Sequence, residues 1–405
     1  MIKQLLFGAA LIASMGAVAQ NNSKAGKDAN GRDTAFVFTT VKANPITSVK
    51  NQNRSGTCWS FSSLGFFESE LLRMGKGTYD LSEMFLVHKT MEDRGIMAVR
   101  MHGDTSYSPG GSFYDCIYCM KNYGMVPQGA MPEPGTLYGD TLPDHGELDA
   151  VAGGYVKAIT SGGFKKLSPV WMKGLSSIYD TYLGKCPENF TYNGKSYTPK
   201  TFMASLGLNM DDYVSLTSFT HHPFYTEFSI EVQDNWRGGL SYNLPLNELM
   251  EVMDNAVKQG YTFAWGADVS EQGFTRDGIA VCPDAKKDLS ALGTDMARWT
   301  GMPVAEKRKK LTQAPLPEIT VTQEMRQQAY DNWETTDDHG MQIYGIAKDQ
   351  NGKEYFMVKN SWGTNSKYKG IWYASKAFVA YKTMNIVVNK HALPKDIAKK
   401  LGIKL

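Results

Sequence analysis

The chain lacks the features that mark several large functional classes. Lysine and arginine exceed aspartate and glutamate by only two in 405 residues. A dedicated nucleic-acid binder normally carries a strong positive charge, so no nucleic-acid partner is expected. The sequence also has no internal repeat, no glycine-rich phosphate loop and no low-complexity tract.

Cysteine is scarce, and no cysteine pattern predicts a metal or cofactor site. Cys116 and Cys119 form a C-x-x-C pair inside a helix-like apolar run, and neither a second cysteine pair nor a His-x3-His pattern completes a zinc set. Buried structural thiols are favoured over a disulfide among Cys116, Cys119, Cys186 and Cys282, and both over a metal site. His221 and His222 precede a proline and indicate a turn rather than metal ligands.

Long apolar runs are absent except near the N-terminus. Lys3 precedes an apolar run over residues 5–13, and Ala17-Val18-Ala19 fits the small-residue rule for signal-peptidase cleavage. A membrane anchor is the alternative, but the run is shorter than the roughly 20 residues of a spanning helix. We predict a signal peptide over residues 1–19, a bacterial periplasmic or secreted protein and no membrane association after cleavage.

The most informative segment places a glutamine six positions before a cysteine that opens an apolar, helix-compatible run. A helix N-terminus offers backbone N–H groups and a positive dipole end, which lower the pKa of a thiol at that position. Cys58 opens the helix-compatible run, so we expect the helix N-terminus to lower the pKa of its thiol. Gln52 would lie in the preceding loop, where its side-chain NH2 and the backbone N–H of Cys58 can hold the oxyanion of an acyl-transfer intermediate.

A nucleophilic cysteine needs a base and a group that orients the base, and both occur far downstream. His339 precedes the apolar run over residues 343–347, which predicts a buried strand. After an Asn351-Gly352 turn, the run over residues 355–359 predicts the returning strand of a hairpin and ends at Asn360. Pairing of these strands would bring Asn360 beside His339.

Gln52, Cys58, His339 and Asn360 resemble, in order and local context, the Gln, Cys, His and Asn of papain-like cysteine peptidases. The closer resemblance, from about residue 45 to about residue 395, is to the bleomycin hydrolase and aminopeptidase C group. It rests on residues 81–87, 110–113, 123–127, 243–246 and 264–269. It implies an α+β, papain-like two-lobed fold, with a helical lobe, an antiparallel β-barrel-like lobe and a helical insertion.

The resemblance also implies a domain order. The interval from Cys58 to His339 exceeds the roughly 130–150 residues of the papain signature, so an insertion is expected. The expected order is an N-terminal extension (20–44), the helical lobe (45–127), a mostly helical insertion (128–220), the β-rich lobe (221–391) and a tail with a short helix (392–405). Residues 307–310 form a basic run, which predicts a solvated loop.

Further roles follow from the family likeness. Trp362 would shield the His339–Asn360 hydrogen bond, and together with Gly110 and Gly111 it is a predicted substrate-binding residue. The two glycines would let a peptide backbone approach the cleft wall. The papain disulfide is absent, because its two positions correspond to Ser55 and a position near Ser108. The group forms hexamers, so the resemblance implies a homo-oligomer.

The expected substrates are peptides, and three functions remain in competition. The first is an aminopeptidase. The second is an endopeptidase with the same catalytic groups, because in bleomycin hydrolases a longer C-terminal arm enters the cleft, whereas this sequence stops at Leu405. The third is a scaffold protein that keeps the fold without turnover.

Overall fold

The computed structural model describes residues 35–136, 141–271, 273–284 and 313–405. The predicted signal peptide and the basic run at 307–310 lie outside these residues. The described helices are α1 (Cys58–Arg73), α2 (Glu83–Arg100), α3 (Phe113–Asn122), α4 (Gly146–Ser161), α5 (Val170–Leu183), α6 (Pro199–Leu206), α7 (Leu246–Lys258), α8 (Gln323–Asp331), α9 (Lys376–Lys382) and α10 (Lys395–Lys400).

Most of the described strands lie in the second half of the chain. The strands are β1 (Thr39–Ala43), β2 (Phe190–Tyr192), β3 (Lys195–Tyr197), β4 (Tyr213–Thr217), β5 (Glu227–Ser229), β6 (Leu240–Asn243), β7 (Phe263–Ala267), β8 (Ile279–Ala280), β9 (His339–Lys348), β10 (Glu354–Lys359), β11 (Ile371–Ser375) and β12 (Thr383–Asn389).

The first lobe is built from helices around one apolar core. This core takes side chains from α1 to α6, and its largest members include Trp59, Phe66 and Phe85. Side-chain caps fix where its helices begin: the Ser82 hydroxyl accepts from Phe85 N at the start of α2. A Ser112–Asp115 capping box starts α3, which satisfies backbone donors that a buried helix end would otherwise leave unpaired.

The second lobe is a large mixed sheet with its own core. The strand order is β5-β6-β4-β12-β7-β9-β10-β11-β8, and β1 also pairs with β9. The β4–β6 and β11–β8 pairs are parallel and the rest are antiparallel. The sheet is open, so the barrel-like closure is not present: its edges are the short strands β5 and β8, which do not pair with each other within the described residues.

The segment predicted as an insertion contains three of the helices. The predicted helix-like stretches near 168–182 and at 199–206 correspond to α5 and α6, and α4 packs against α5. The same segment also contains the β2–β3 hairpin, and β4 at its end joins the large sheet. The domain boundaries themselves stay a prediction.

A buried polar network joins the two lobes beneath α1. Lys359 Nζ, on β10, donates to Thr47 Oγ1 at 2.8 Å, and this hydroxyl donates to Glu68 Oε2 on α1 at 2.6 Å. Burial lowers the pKa of Lys359 to about 8. Removing one partner of such a buried set typically costs about 3–5 kcal/mol, because the other charge is left uncompensated.

The C-terminal segment belongs to the second lobe. Ile397, Ala398 and Leu401 of α10 and its end pack into the apolar core of that lobe. No helix among the described residues has both the length and the apolar character needed to cross a membrane.

Candidate active site

Cys58 is the first residue of α1, as the sequence predicts. The residue is half-buried and lines a cavity of about 710 Å³ between the two lobes. The cavity walls desolvate the thiol and raise its pKa to about 12, while the backbone N–H groups of Gly340 and Trp59 act in the opposite direction. The thiolate therefore needs a nearby cation to form.

His339 begins β9 and is buried, and Asn360 follows β10 directly. The predicted hairpin is present, and Nε2 of His339 lies 2.8 Å from Oδ1 of Asn360. This oxygen also accepts from the backbone N–H of Ser361 at 2.7 Å, which fixes the orientation of the amide. Nε2 of His339 therefore carries the ring proton and donates it to Asn360, which leaves Nδ1 with a free lone pair.

Burial keeps the imidazole neutral. It lowers the pKa of His339 to about 4, and the hydrogen bond with Asn360 offsets this only in part. Since burial penalises the charged form of His339 and of Cys58 alike, the ion pair forms by transfer of one proton from the thiol to the ring, which leaves the net charge of the pair unchanged.

Gly340 allows the strand that carries His339 to lie against the start of α1. A Cβ at this position would be 2.7 Å from Ser62 Oγ and 3.2 Å from the Phe113 ring. A glycine is therefore needed at this contact, where the two lobes bring Cys58 and His339 together.

Gln52 is buried next to the segment that carries Asn360. Its backbone N–H donates to the Ser361 carbonyl at 2.8 Å, and its Oε1 accepts from the Ser361 hydroxyl at 2.5 Å. Because Oε1 of Gln52 already accepts from Ser361, the side-chain NH2 of Gln52 is the group that could donate a hydrogen bond to an oxyanion. Sequence reasoning gave Ser361 no role, although it is part of the Asn-Ser-Trp-Gly motif.

Trp362 packs against the base. The ring centroids of Trp362 and His339 are 4.7 Å apart with 30° between the planes. Phe274 and Trp372 contact the same indole edge-on. Trp362 is not among the residues that line the cavity, and its place is beside His339.

Gly110 and Gly111 precede α3 and pack closely against other side chains. A Cβ on Gly111, which lines the cavity, would meet the Trp59 ring at 2.8 Å. A Cβ on Gly110 would meet the Asp234 carboxylate at 2.0 Å. Both glycines are thus required by close packing against neighbouring side chains, and their contact with a substrate stays a prediction.

The cavity wall is acidic. Five carboxylate residues line it, whereas the cation among its described lining residues is Lys121, which pairs with Asp211 at 2.5 Å. The five are Asp211, Glu227, Asp234, Asp337 and Asp338. Sequence reasoning missed this feature, because the loops that contribute these residues are far apart in the chain.

Asp234 and Asp338 are held by protein partners. Arg94, itself buried, places Nη1 and Nη2 3.3 Å from Asp234 Oδ1. Asp338 accepts from the backbone N–H groups of Val269 and Ser270 at 2.8 and 3.1 Å.

Asp337 differs from both. Its carboxylate makes no hydrogen bond or ion pair among the described residues, and burial together with Asp234 and Asp338 raises its pKa to about 7.

The other cysteines lie away from this cavity. Cys116 and Cys119 are buried on α3, Cys282 is buried in the second lobe, and Cys186 is partly exposed. All are free thiols. The Ser55 and Ser108 hydroxyls, at or near the positions of the missing papain bridge, make hydrogen bonds to Thr57 and Asp234.

His221, His222 and Glu231 are the one group among the described residues that is close enough to hold a metal ion. The hydrogen bonds of Gln327 determine which ring nitrogen of His221 carries the proton. Its Oε1 accepts from the backbone N–H of Thr220 at 2.6 Å, so its Nε2 donates to Nδ1 of His221. Nε2 of His221 then carries the proton and donates it to Glu231 at 3.0 Å, which leaves no lone pair for a metal.

Comparison with known proteins agrees with this geometry. Residues 165–298 and 317–404, more than half of the chain, match the family model described as Peptidase C1-like family. The chain belongs to the Peptidase C1-like family. Residues 35–102, which include Cys58, match the model described as papain family cysteine protease. The chain is therefore a papain-like cysteine peptidase.

Relatives of this C1-like peptidase cover most of its length. Aminopeptidase G of Lactobacillus delbrueckii subsp. lactis is 24% identical over 392 residues, which span 87% of this chain and 83% of the relative. Aminopeptidase C of Streptococcus thermophilus is 24% identical over 391 residues, 85% of this chain and 81% of the relative.

A solved structure supports the fold. The crystal structure of pepw from Lactobacillus rhamnosis matches with a TM-score of 0.62 at 20% identity and covers 90% of this chain and 84% of that one. The papain-like fold class and the bleomycin hydrolase and aminopeptidase C group, both predicted from the sequence, are confirmed.

Proposed function

We propose that the protein is an exported aminopeptidase of the aminopeptidase C type that hydrolyses peptide bonds through a thioester on Cys58. The observation that carries the mechanism is the 2.8 Å contact between His339 Nε2 and Asn360 Oδ1, which leaves Nδ1 of His339 unprotonated. The names of the relatives, aminopeptidases C and G, support the aminopeptidase assignment.

In the acylation half, Nδ1 of His339 takes the proton of the Cys58 thiol, and the sulfur attacks the scissile carbonyl carbon. The Cys58 backbone N–H and the Gln52 side-chain NH2 hold the resulting oxyanion. The intermediate collapses when Nδ1 gives its proton to the leaving amine and the C–N bond breaks, which leaves a thioester on Cys58.

In the deacylation half, water gives a proton to Nδ1 of His339 and attacks the thioester carbon. The C–S bond then breaks, the carboxylic acid product leaves, and the sulfur recovers the proton from the ring. Asn360 orients the imidazole through both halves, and Trp362 packs over that ring and limits the access of water to the bond between them.

The decisive experiment measures turnover by the purified chain from residue 20, under reducing conditions, of fluorogenic peptide amides with a free or an acetylated N-terminus. The expected result is cleavage of the free amides and loss of turnover by roughly 10³-fold or more in Cys58→Ala, because the nucleophile is removed. Circular dichroism checks that the variant is folded. Full activity in Cys58→Ala would contradict the mechanism.

An endopeptidase is the second candidate, and one observation favours it. The described residues of the tail pack into the core of the second lobe, and none of the residues from 392 to 405 lines the cavity. Cleavage of acetylated amides in the same assay identifies an endopeptidase.

The third candidate, a scaffold without turnover, predicts that a thiol-directed epoxide fails to label Cys58. Labelling that is lost in Cys58→Ala removes this candidate.

Export and assembly are separate parts of the proposal. The N-terminal sequence supports export with cleavage after Ala19, so mass spectrometry of the periplasmic or secreted protein should find Gln20 as its first residue. The family resemblance supports a hexamer, and light scattering coupled to gel filtration measures its mass. A mass equal to that of a monomer would contradict the proposed hexamer and would leave the proposed mechanism unaffected.

A further inference from the structure

The acidic wall of the cavity is not used by the mechanism above. Cys58, His339, Gln52 and Asn360 complete both half-reactions without a carboxylate. A bare carboxylate near the nucleophile even opposes the reaction, since negative charge from Asp337 and Asp234 raises the pKa of the Cys58 thiol. An unpaired acid at this position therefore needs a reason other than the chemistry of bond cleavage.

Asp337 is the half-buried acid of the wall that makes no hydrogen bond or ion pair among the described residues, whereas Glu227, which also makes none there, is exposed. Asp234 faces Arg94, Asp338 faces two backbone N–H groups and Asp211 faces Lys121. Asp337 instead lies within electrostatic range of Asp234 and Asp338, whose negative charges disfavour its own. A cation that enters the cavity would find its most favourable position there.

The position also suits one particular cation. In an N-terminal residue the α-nitrogen lies about 2.5 Å from the carbonyl carbon, because two bonds of about 1.5 Å separate them. When that carbon bonds to Cys58, the ammonium must lie within about 4 Å of the sulfur. Asp337 lies two residues before His339 and lines the same cavity as Cys58, so a substrate bonded to Cys58 carries its ammonium group into the cavity that Asp337 lines.

We propose that Asp337 is the specificity residue that binds the free α-ammonium group of the peptide substrate. This inference rests on the proposed aminopeptidase function and names the group that would select free N-termini. The ammonium neutralises the charge that opposes the Cys58 thiolate, so a free N-terminus assists formation of the nucleophile as well as binding. A neutral acetylated N-terminus leaves Asp337 unpaired, so it assists neither substrate binding nor formation of the Cys58 thiolate.

The test compares wild type, Asp337→Asn and Asp337→Lys on a leucine coumarylamide with a free, an acetylated or a succinylated N-terminus. Asp337→Asn is expected to lower kcat/KM for the free amide about 10- to 100-fold, as expected for loss of a charged hydrogen-bond partner. Asp337→Lys is expected to cleave the succinylated amide faster than wild type does, because the added charge now attracts an anion.

Asp211→Asn is the matched control. It makes the same substitution on the same cavity wall, at an acid that Lys121 already neutralises, so kcat/KM for the free amide should change less than twofold. Circular dichroism and thermal melting check that each variant is folded. A pH profile adds a readout that a merely structural role would not move: the acid limb of kcat/KM that reports Asp337 should disappear in Asp337→Asn.

A peptide with a blocked N-terminus and a lysine next to the cleaved residue separates the two sources of an ammonium group. If Asp337→Asn slows only this peptide, the carboxylate binds a side chain and the α-ammonium assignment is wrong. Equal selectivity of wild type and Asp337→Asn for free over acetylated amides also overturns the inference, with the proposed function intact. Failure of the wild type to cleave any amide overturns the proposed function itself.

Discussion

The Ser361 hydroxyl donates a 2.5 Å hydrogen bond to Oε1 of Gln52. The backbone N–H of the same serine donates to Oδ1 of Asn360 at 2.7 Å. One residue thus positions both the side chain that would hold the oxyanion and the side chain that orients His339. Any displacement of Ser361 should affect both groups together.

Ser361→Ala is expected to lower kcat about tenfold with little change in KM. A hydrogen bond to a neutral group contributes about 1 kcal/mol, and about 1.4 kcal/mol in the barrier is tenfold in rate. Steady-state kinetics on the free amide measures the change. Ser177→Ala, an exposed serine of α5 that bonds only to its own helix, is the control. A rise in KM at constant kcat would mean that Ser361 acts on substrate binding instead.

Asn360→Ala should slow turnover about 10- to 100-fold without ending it, because the side chain orients His339 and takes no part in bond making. Asn247→Ala, an exposed asparagine on α7, should leave kcat unchanged. Loss of activity equal to that of Cys58→Ala would show that Asn360 does more than orient the ring.

Gly340→Ala should destabilise the fold by about 1–3 kcal/mol, since the new methyl group overlaps Ser62 Oγ. Chemical denaturation measures the free energy of unfolding. The double variant Gly340→Ala/Ser62→Ala removes the oxygen that the methyl group meets and is expected to recover part of the loss. No recovery would place the strain against Phe113 instead.

Asp337 should make the fold less stable as pH rises. Its pKa is about 7 in the fold and about 3.9 in an unfolded chain, so between these values the folded chain holds a proton that the unfolded chain releases. The free energy of unfolding contributed by this group therefore falls from pH 4 to pH 7.

Asp337→Asn removes that titration. Because the group is partly exposed to the cavity, we expect an effect of about 1 kcal/mol, or about 1 °C in Tm for a chain of this length, at pH 8 and none at pH 4. Calorimetry at the two pH values checks the sign. A variant that melts below wild type at pH 8 would contradict it.

The position of a side chain could be predicted from the sequence where it depends on residues nearby in the chain. Cys58 lies at a helix start because an apolar run follows it, and the turn at Asn351-Gly352 sets the hairpin that joins His339 to Asn360. Both features depend on neighbours in the chain, so they could be predicted without tertiary information. The two parallel strand pairs and the open sheet depend on long-range packing and were not predicted.

The acidic wall could not be predicted for the same reason. Asp337 follows α8, whereas Asp234 lies in the loop between β5 and β6. Nothing near either residue in the sequence indicates that the fold brings them to one cavity, or that Arg94 neutralises only one of them. Ser361 was visible as part of a motif, but its bond to Gln52 depends on contact between segments that are far apart in sequence.

The strand that begins with His339 has a consequence for how the enzyme loses activity. Every residue of β9 before Lys348 is buried, and the strand pairs with β1, β7 and β10. Amide groups in such a strand exchange with solvent only when the whole domain opens. Hydrogen exchange along β9 should therefore be among the slowest in the chain, and heat inactivation should coincide with global unfolding rather than precede it.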